Sequence, residues 1–276
     1  MSLIETRDLR HAYTLPRSGE VWALRGISLS VESGEYVAIV GANGSGKTTL
    51  ARHLNGILQP TSGTIAINEL STSDVDSIAE IRKTVGMVFQ SPDDQLVATV
   101  VEEDVAFGPE NAGLPPEEIE RRVHDALVAV DMWDHRSRPT HQLSEGQKQR
   151  VALAGALAVK PRILVLDEAT SMLDPAGSHA MLKILDQLHR EGLTILTITH
   201  KMVEAARAER IVVMHNGEIA DDGSPAVVFA REELATWGLA PPPIAQLVRE
   251  VKDDFPSLAT VNLDPASLAR AIGALV

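Results

Sequence analysis

GANGSGKT, residues 41–48, satisfies the pattern G-x-x-x-x-G-K-[ST], and what flanks it gives the match its meaning. The apolar run EYVAIV (35–40) leads into it as a strand. TTLARHLNGIL (48–58) leaves it as a helix, expected to stop near Gln59-Pro60 because the residue before a proline is biased away from helix. Gly41, Gly44 and Gly46 allow the loop to curl until its backbone amides point inward. A loop of that shape is suited to phosphate oxygens, with Lys47 adding a point charge and Thr48 a hydroxyl for Mg²⁺.

ILVLDE (163–168) supplies what the loop lacks. Asp167, a carboxylate at the end of a buried apolar strand, can hold Mg²⁺ through its water shell. Glu168 either orients or deprotonates an attacking water or closes the strand with a salt bridge. LSEGQKQR (143–150) is a second candidate anion site: Ser144 suits an N-cap, Gln147 can reach back to its amide, and Glu145 fits the first turn. One nucleotide rarely needs two such ends from one small domain.

Between these motifs short apolar strands alternate with helices. Alternation at 64–68 and the run TVGMVFQ (84–90) read as strands, and PPEEIERRVHDALVAV (115–130) reads as a helix with Ile119, Val123, Leu127 and Val130 on one face. ILVLD and LTILTITH (193–200) are too apolar to be half exposed, so the class is α/β with a parallel sheet covered on both faces. RIVVMHNGEIADDG (210–223) reads as a hairpin turning at Asn216-Gly217. Past Pro225 the pattern turns helical, breaks at Pro241, Pro242 and Pro243, and resumes in IAQLVREVKDDF and PASLARAIGAL. A boundary is expected near residue 225.

With 276 residues and 44% hydrophobic content the chain can bury one large core and carry a modest appendage. A formal charge of −13 argues against a nucleic-acid partner. No apolar run approaches the ~20 residues that span a bilayer, and MSLIETRDLR lacks the apolar core of a signal peptide. A soluble, cytoplasmic chain able to dock on a membrane partner is expected, and the absence of cysteine fits a reducing compartment.

In order, HAY with Tyr13, GANGSGKTT, Gln90 after VGMVF, LSEGQ, LVLDEAT, SMLDP and His200 after LTILTIT resemble the ATP-binding-cassette (ABC) family of ATPases, over residues 3–225. The resemblance implies an ABC ATPase domain, a RecA-like core with an antiparallel β-subdomain and a helical subdomain, at 1–225, and a small C-terminal helical extension, a possible dimerisation domain, at 226–276. It implies ATP and Mg²⁺ as ligands. Tyr13 would stack on adenine, unless it is a solvent-facing structural residue. Gly41, Asn43, Gly44, Ser45, Gly46, Lys47, Thr48 and Thr49 would hold the phosphates, and Thr48, Gln90 and Asp167 the metal. Glu168, His200 and Gln90 would be catalytic, His200 touching the γ-phosphate and Gln90 also reporting to a membrane partner. Asp174 would bridge a dimer interface or simply cap the helix from Pro175. In this family Ser144, Gly146 and Gln147 of one subunit complete the ATP site of another, across a head-to-tail dimer. That would give the two anion-binding ends different ATP molecules.

The family signature is LSGGQ, and Glu145 replaces its first Gly. Its charge would be unfavourable beside another subunit's γ-phosphate if it pointed inward and costs little if it points outward; with Ser144 and Gly146 retained, a working site is expected. QSPDDQLVATVVEEDVAFGPENAGL (90–114) resembles the segment after the glutamine in ATPases of energy-coupling factor (ECF) transporters, importers of vitamins and transition-metal ions. It implies a groove for coupling helices of a transmembrane coupling protein, a separate substrate-binding membrane subunit that selects the cargo, a second ABC ATPase in a homo- or heterodimer, and a peripheral location on the cytoplasmic face of the cell membrane. SMLDP and the HAYTLPRSGEVWALRGISLSVE stretch look most like one of the two paralogous ATPases that pair in many such systems. The ATPase of a conventional binding-protein-dependent importer would share every catalytic motif. A soluble ABC ATPase would need basic surfaces, coiled coils or tandem cassettes, which this sequence does not show. In the tail, Val227, Val228, Leu234, Trp237, Leu247 and Val251 serve either dimerisation or internal packing.

Overall fold

The computed structural model describes residues 2–16, 19–251 and 265–273. Two long antiparallel strands, β1 (Ser2–Leu15) and β2 (Gly19–Glu32), open the chain, and with β4 (Ser62–Ile67) and the short β5 (Leu70–Ser71) they form a sheet in the order β2-β1-β4-β5. Polar residues and register shifts along β1 hide its period of two, which is why the sequence pattern did not announce it.

Strand β3 (Tyr36–Val40) runs into α1 (Lys47–Leu54). This helix ends five residues before the expected stop at Gln59. Gly56 takes φ +65°, its amide donates to the His53 carbonyl at 3.0 Å, and the Ile57 amide donates to the Arg52 carbonyl at 2.9 Å. That pair of bonds satisfies the last carbonyls and turns the chain away, and the glycine rather than the proline sets the boundary.

Beyond α2 (Ile78–Thr84) and β6 (Val85–Val88), the helices α3 (Val101–Asn111), α4 (Pro116–Ala129) and α5 (Glu145–Ala158) pack together. The expected apolar face of α4 is real: Val123, Leu127 and Val130 are buried and Ile119 packs beside them. The chain then runs through β7 (Ile163–Asp167), α6 (Pro175–Arg190), β8 (Thr194–Ile198), α7 (Met202–Ala205), β9 (Arg210–His215) and β10 (Glu218–Gly223). The second sheet has the order β10-β9-β3-β8-β7-β6, with parallel pairing throughout except at the β9–β10 hairpin. Asn216 and Gly217 both have positive φ there, 50° and 83°, as a two-residue hairpin turn requires.

Along β3, Tyr36, Ala38 and Val40 join the core beneath α3 to α6, while Val37 and Ile39 join the core shared with the antiparallel sheet and α1. Both faces of the parallel sheet are covered, so its strands are apolar on both sides. The carboxyl ends of β3 and β7 fall side by side across β8, which brings the loop at 41–48 to the Asp167-Glu168 pair. Ligands of open α/β sheets bind at such strand ends.

Past residue 225, α8 (Pro225–Phe229), α9 (Pro243–Val251) and α10 (Pro265–Gly273) follow. Val228, Phe229, Leu234, Leu239, Ala245 and Val248 are buried in the same core as the sheet, while Val227 and Leu247 are exposed. Trp237 is half-buried against that core. The helical stretch expected at 252–255 and the side chain of Val251 lie outside the described residues.

Candidate nucleotide site

The loop at 41–48 is curled around its own lysine. Lys47 is buried, and its ammonium donates to the carbonyls of Gly41 at 2.9 Å and Ala42 at 3.0 Å. Burial pulls its pKa below the ordinary lysine value, and the carboxylates of Glu168 and Asp167 oppose that shift. Two glycines are forced here: Gly46 has φ +102°, and a Cβ on it would lie 2.5 Å from the Ala23 carbonyl oxygen, while a Cβ on Gly41 would lie 2.2 Å from that of Met214. Ser45 is buried, and its hydroxyl has no hydrogen-bond partner among the described residues.

Thr48 Oγ1 donates to Asp167 Oδ1 at 3.1 Å. Asp167 is buried, which raises its pKa; the bond from Thr48 acts in the opposite direction. A hydroxyl and a carboxylate at this spacing form an oxygen-only donor pair, the chemistry Mg²⁺ prefers when it keeps most of its water. Glu168 follows with φ +51°, and its amide donates to the Ile198 carbonyl at 3.0 Å. That left-handed turn at the strand end directs the carboxylate toward His200, whose Nδ1 lies 3.3 Å from Glu168 Oε2. Gln90, Glu168 and His200 line one cleft of about 810 Å³ together with Gly41 and Asn43. Sequence reading missed the far wall of this cleft, which is built by 238–243, where Gly238 approaches Ala42. The three consecutive prolines were legible only as a break in a helix.

Tyr13 is half-buried, with its hydroxyl 3.3 Å from Thr49 Oγ1 and its ring edge-on to His11 at 4.7 Å. His11 in turn meets His53 at 4.6 Å. Tyr13 is thus tied to the start of α1.

The signature segment opens α5 as expected. Ser144 Oγ accepts from the Gln147 amide at 3.3 Å, and Gln147 Oε1 accepts from the Ser144 amide at 3.0 Å. Ser144, Glu145, Gly146 and Gln147 line a second cleft, of about 460 Å³, with Asp174 and Gly177, so Glu145 borders the cleft rather than lying away from it. The two clefts have no lining residue in common. Asp174 caps α6, its Oδ1 accepting from the Gly177 amide at 2.6 Å. The Glu145 carboxylate is held by Lys148 at 3.2 Å, and the same ammonium reaches Asp93 at 2.7 Å. Sequence alone gave no sign of this link, because Asp93 is 55 positions from Lys148.

Residues 24–171 match the ABC transporter family. The chain is similar to the energy-coupling factor transporter ATP-binding protein EcfA1 of Clostridium perfringens, 43% identical over 274 residues and 98% of each chain. It is also similar to the structure of cbiO1 from Clostridium perfringens, described as part of the ABC transporter complex cbiONQ, with 36% identity, a TM-score of 0.76 and coverage of 94% of this chain and 97% of that one. A dimeric ATP-binding cassette bound to ADP and Pi in a post-hydrolysis state matches with 28% identity and a TM-score of 0.73, over 80% of this chain and 98% of its own. These likenesses span the antiparallel sheet, the P-loop core and the helical subdomain, and the chain belongs to the ABC transporter family of ATPases, among its energy-coupling factor ATP-binding proteins.

Proposed function

We propose that this chain is the ATP-hydrolysing subunit of an ECF-type importer, peripheral on the cytoplasmic face of the membrane, and that it works in a dimer whose two ATP sites are each built from two subunits. The observation that carries this reading is the separation of the P-loop cleft from the signature cleft in one chain. The loop from Gly41 to Thr49 grips the phosphates of one ATP, Tyr13 receives its adenine, and Ser144, Gly146 and Gln147 close over the ATP of the other subunit.

Thr48 and Asp167, with Gln90 at the mouth, are the residues that would hold Mg²⁺. Bound there, the ion would neutralise part of the phosphate charge. Glu168 takes a proton from the attacking water or orients it, and His200 holds Glu168 and the γ-phosphate end of the cleft in register. Lys47 exchanges its bonds to the loop carbonyls for phosphate oxygens. Only a ligand that binds the closed dimer more tightly than the open one can move the coupling machinery, which is why ATP must be shared between subunits.

The segment 90–114 supports the ECF assignment. Its 3₁₀ turn at Pro92–Asp94 and α3 leave Val97 and Phe107 exposed on the helical subdomain, an apolar surface suited to the short helices of a transmembrane coupling protein. Among the described residues no helix is long and apolar enough to cross a membrane, so on this reading the pore and the substrate-binding subunit are other chains. The extension 226–276 anchors itself through Val228 and Leu234 and offers Val227 and Leu247 to a second subunit. The cargo class is vitamins or transition-metal ions.

Purification of the tagged chain from detergent-solubilised membranes of its native host, followed by mass spectrometry, tests the assignment. A second ABC ATPase, a multi-span coupling protein and small membrane binders are expected. Two permeases with an exported binding protein, or soluble partners only, would overturn it while leaving the ATPase chemistry in place.

A further inference from the structure

Glu204 is a buried carboxylate outside every motif considered so far, and it joins the turn after Glu168, the residue before His200 and the first turn of α6. Its Oε2 accepts from Thr170 Oγ1 at 2.6 Å and from Thr199 Oγ1 at 3.2 Å. Its Oε1 accepts from Ser178 Oγ at 3.2 Å and lies 3.3 Å from the Lys201 ammonium, which also donates to the Thr170 carbonyl at 2.8 Å. Thr170 stands two residues after Glu168, Thr199 immediately before His200, and Ser178 in the first turn of α6, where its amide donates to the carbonyl of Asp174 at 2.9 Å.

A desolvated carboxylate is retained only where hydrogen bonds and an opposite charge compensate it, and here all the compensating groups come from these segments. One partner, Lys201, is the residue that caps α7, but the three hydroxyl donors come from outside that helix, from the turn after β7, the end of β8 and the start of α6. Packing already fixes that helix, since Met202 and Ala205 are both buried. We propose that Glu204 is a positioning residue that holds the turn after Glu168, the segment bearing His200 and the start of α6 in one register, so that the attacking water, the γ-phosphate contact and the Asp174 turn move together. This rests on the hydrolytic roles proposed above for Glu168 and His200.

Single-turnover ATP hydrolysis by the purified complex tests it, with Glu204→Gln made in the wild-type and in a His200→Ala background, alongside ATP affinity and thermal melting. Glu204→Gln is expected to slow hydrolysis about 10-fold. ATP affinity should stay within about 2-fold, and adding the change to His200→Ala should slow hydrolysis little further, because groups acting through one another are non-additive. Thr199→Val, which removes one hydroxyl donor, should give the same pattern if the glutamine variant folds poorly. Equal losses in both backgrounds, unchanged hydrolysis, or a loss that tracks ATP affinity would overturn the proposal. A His200→Ala protein that hydrolyses ATP normally would instead overturn the reading of His200.

Discussion

Nδ1 of His200 lies 3.3 Å from Oε2 of Glu168, the exposed imidazole beside a carboxylate that is largely covered. The contact joins the end of β8 to the end of β7 at the mouth of the P-loop cleft. Replacing Glu168 by Gln keeps the shape and removes the carboxylate proposed to take the water's proton or orient it. Turnover should fall by roughly 10²- to 10⁴-fold while ATP binding is spared, measured as steady-state phosphate release beside a nucleotide titration. Undiminished turnover would remove Glu168 from its role.

Lys47 is the complementary case. Its ammonium is already enclosed by the Gly41 and Ala42 carbonyls, so Lys47→Ala removes the proposed phosphate ligand and also leaves those carbonyls without their donor. ATP affinity should drop by at least about 10-fold, since charge-assisted bonds to phosphate are among the strong ones. Equilibrium titration with ATP reads this directly, and a normal dissociation constant would contradict the P-loop assignment.

The carboxylate that departs from the signature, Glu145, is tied down locally by a lysine that it shares with Asp93. That lysine is Lys148, and the two carboxylates are well exposed. Exposed pairs of this kind contribute little, about 0–1 kcal/mol. Glu145→Gly alone should therefore change turnover by no more than about 5-fold. Lys148→Ala should do more, freeing a negative charge beside the other subunit's phosphates, and Glu145→Gly should restore most of the loss. Turnover of the three variants at low and high salt checks this. A Lys148→Ala defect that Glu145→Gly does not relieve would show that the Asp93 bond, not the charge of Glu145, is what matters.

Asp104 gives a pH-dependent prediction. Its Oδ1 accepts from the amides of Val97 at 2.6 Å and Ala98 at 2.9 Å, yet burial raises its pKa above the ordinary carboxylate value. The folded state then holds its proton to higher pH than the unfolded state, so this group's contribution to stability falls as pH rises from the ordinary value of 3.8 through the raised one. Asp104→Asn keeps an acceptor and removes the buried charge. It should melt at the wild-type temperature or higher at pH 7, with the difference shrinking toward pH 4. Asp104→Ala leaves two amides without their acceptor and should lose about 1–3 kcal/mol. Melting curves across pH test both; a large loss in Asp104→Asn at pH 7 would contradict the argument.

The loop at 41–48, the Asp167-Glu168 strand end and the Ser144 cap were legible because each depends on a local pattern: glycines at fixed offsets, acids closing an apolar run, a hydroxyl three residues before a glutamine. The parallel sheet was legible because strands covered on both faces are apolar throughout. Glu204 was not, since VEAARAER reads as an ordinary solvated helix and its burial arises only when β8, α6 and the turn after β7 meet over it. The contact of Lys148 with Asp93 and the wall at 238–243 were hidden for the same reason, being products of tertiary packing between distant segments. The early end of α1 was misplaced because a proline outweighed a glycine that lies closer to the helix.

The proposed composite site is tested most directly by specific ATPase activity as a function of protein concentration, with the chain alone and with any second ATPase that co-purifies, for wild type and Ser144→Arg. If each site needs the signature helix of a second subunit, activity per molecule rises with concentration to a plateau, and Ser144→Arg suppresses hydrolysis while its own P-loop still binds ATP. Specific activity that stays constant with dilution in a protein shown to be monomeric, and is unaffected by Ser144→Arg, would contradict a site shared between two subunits.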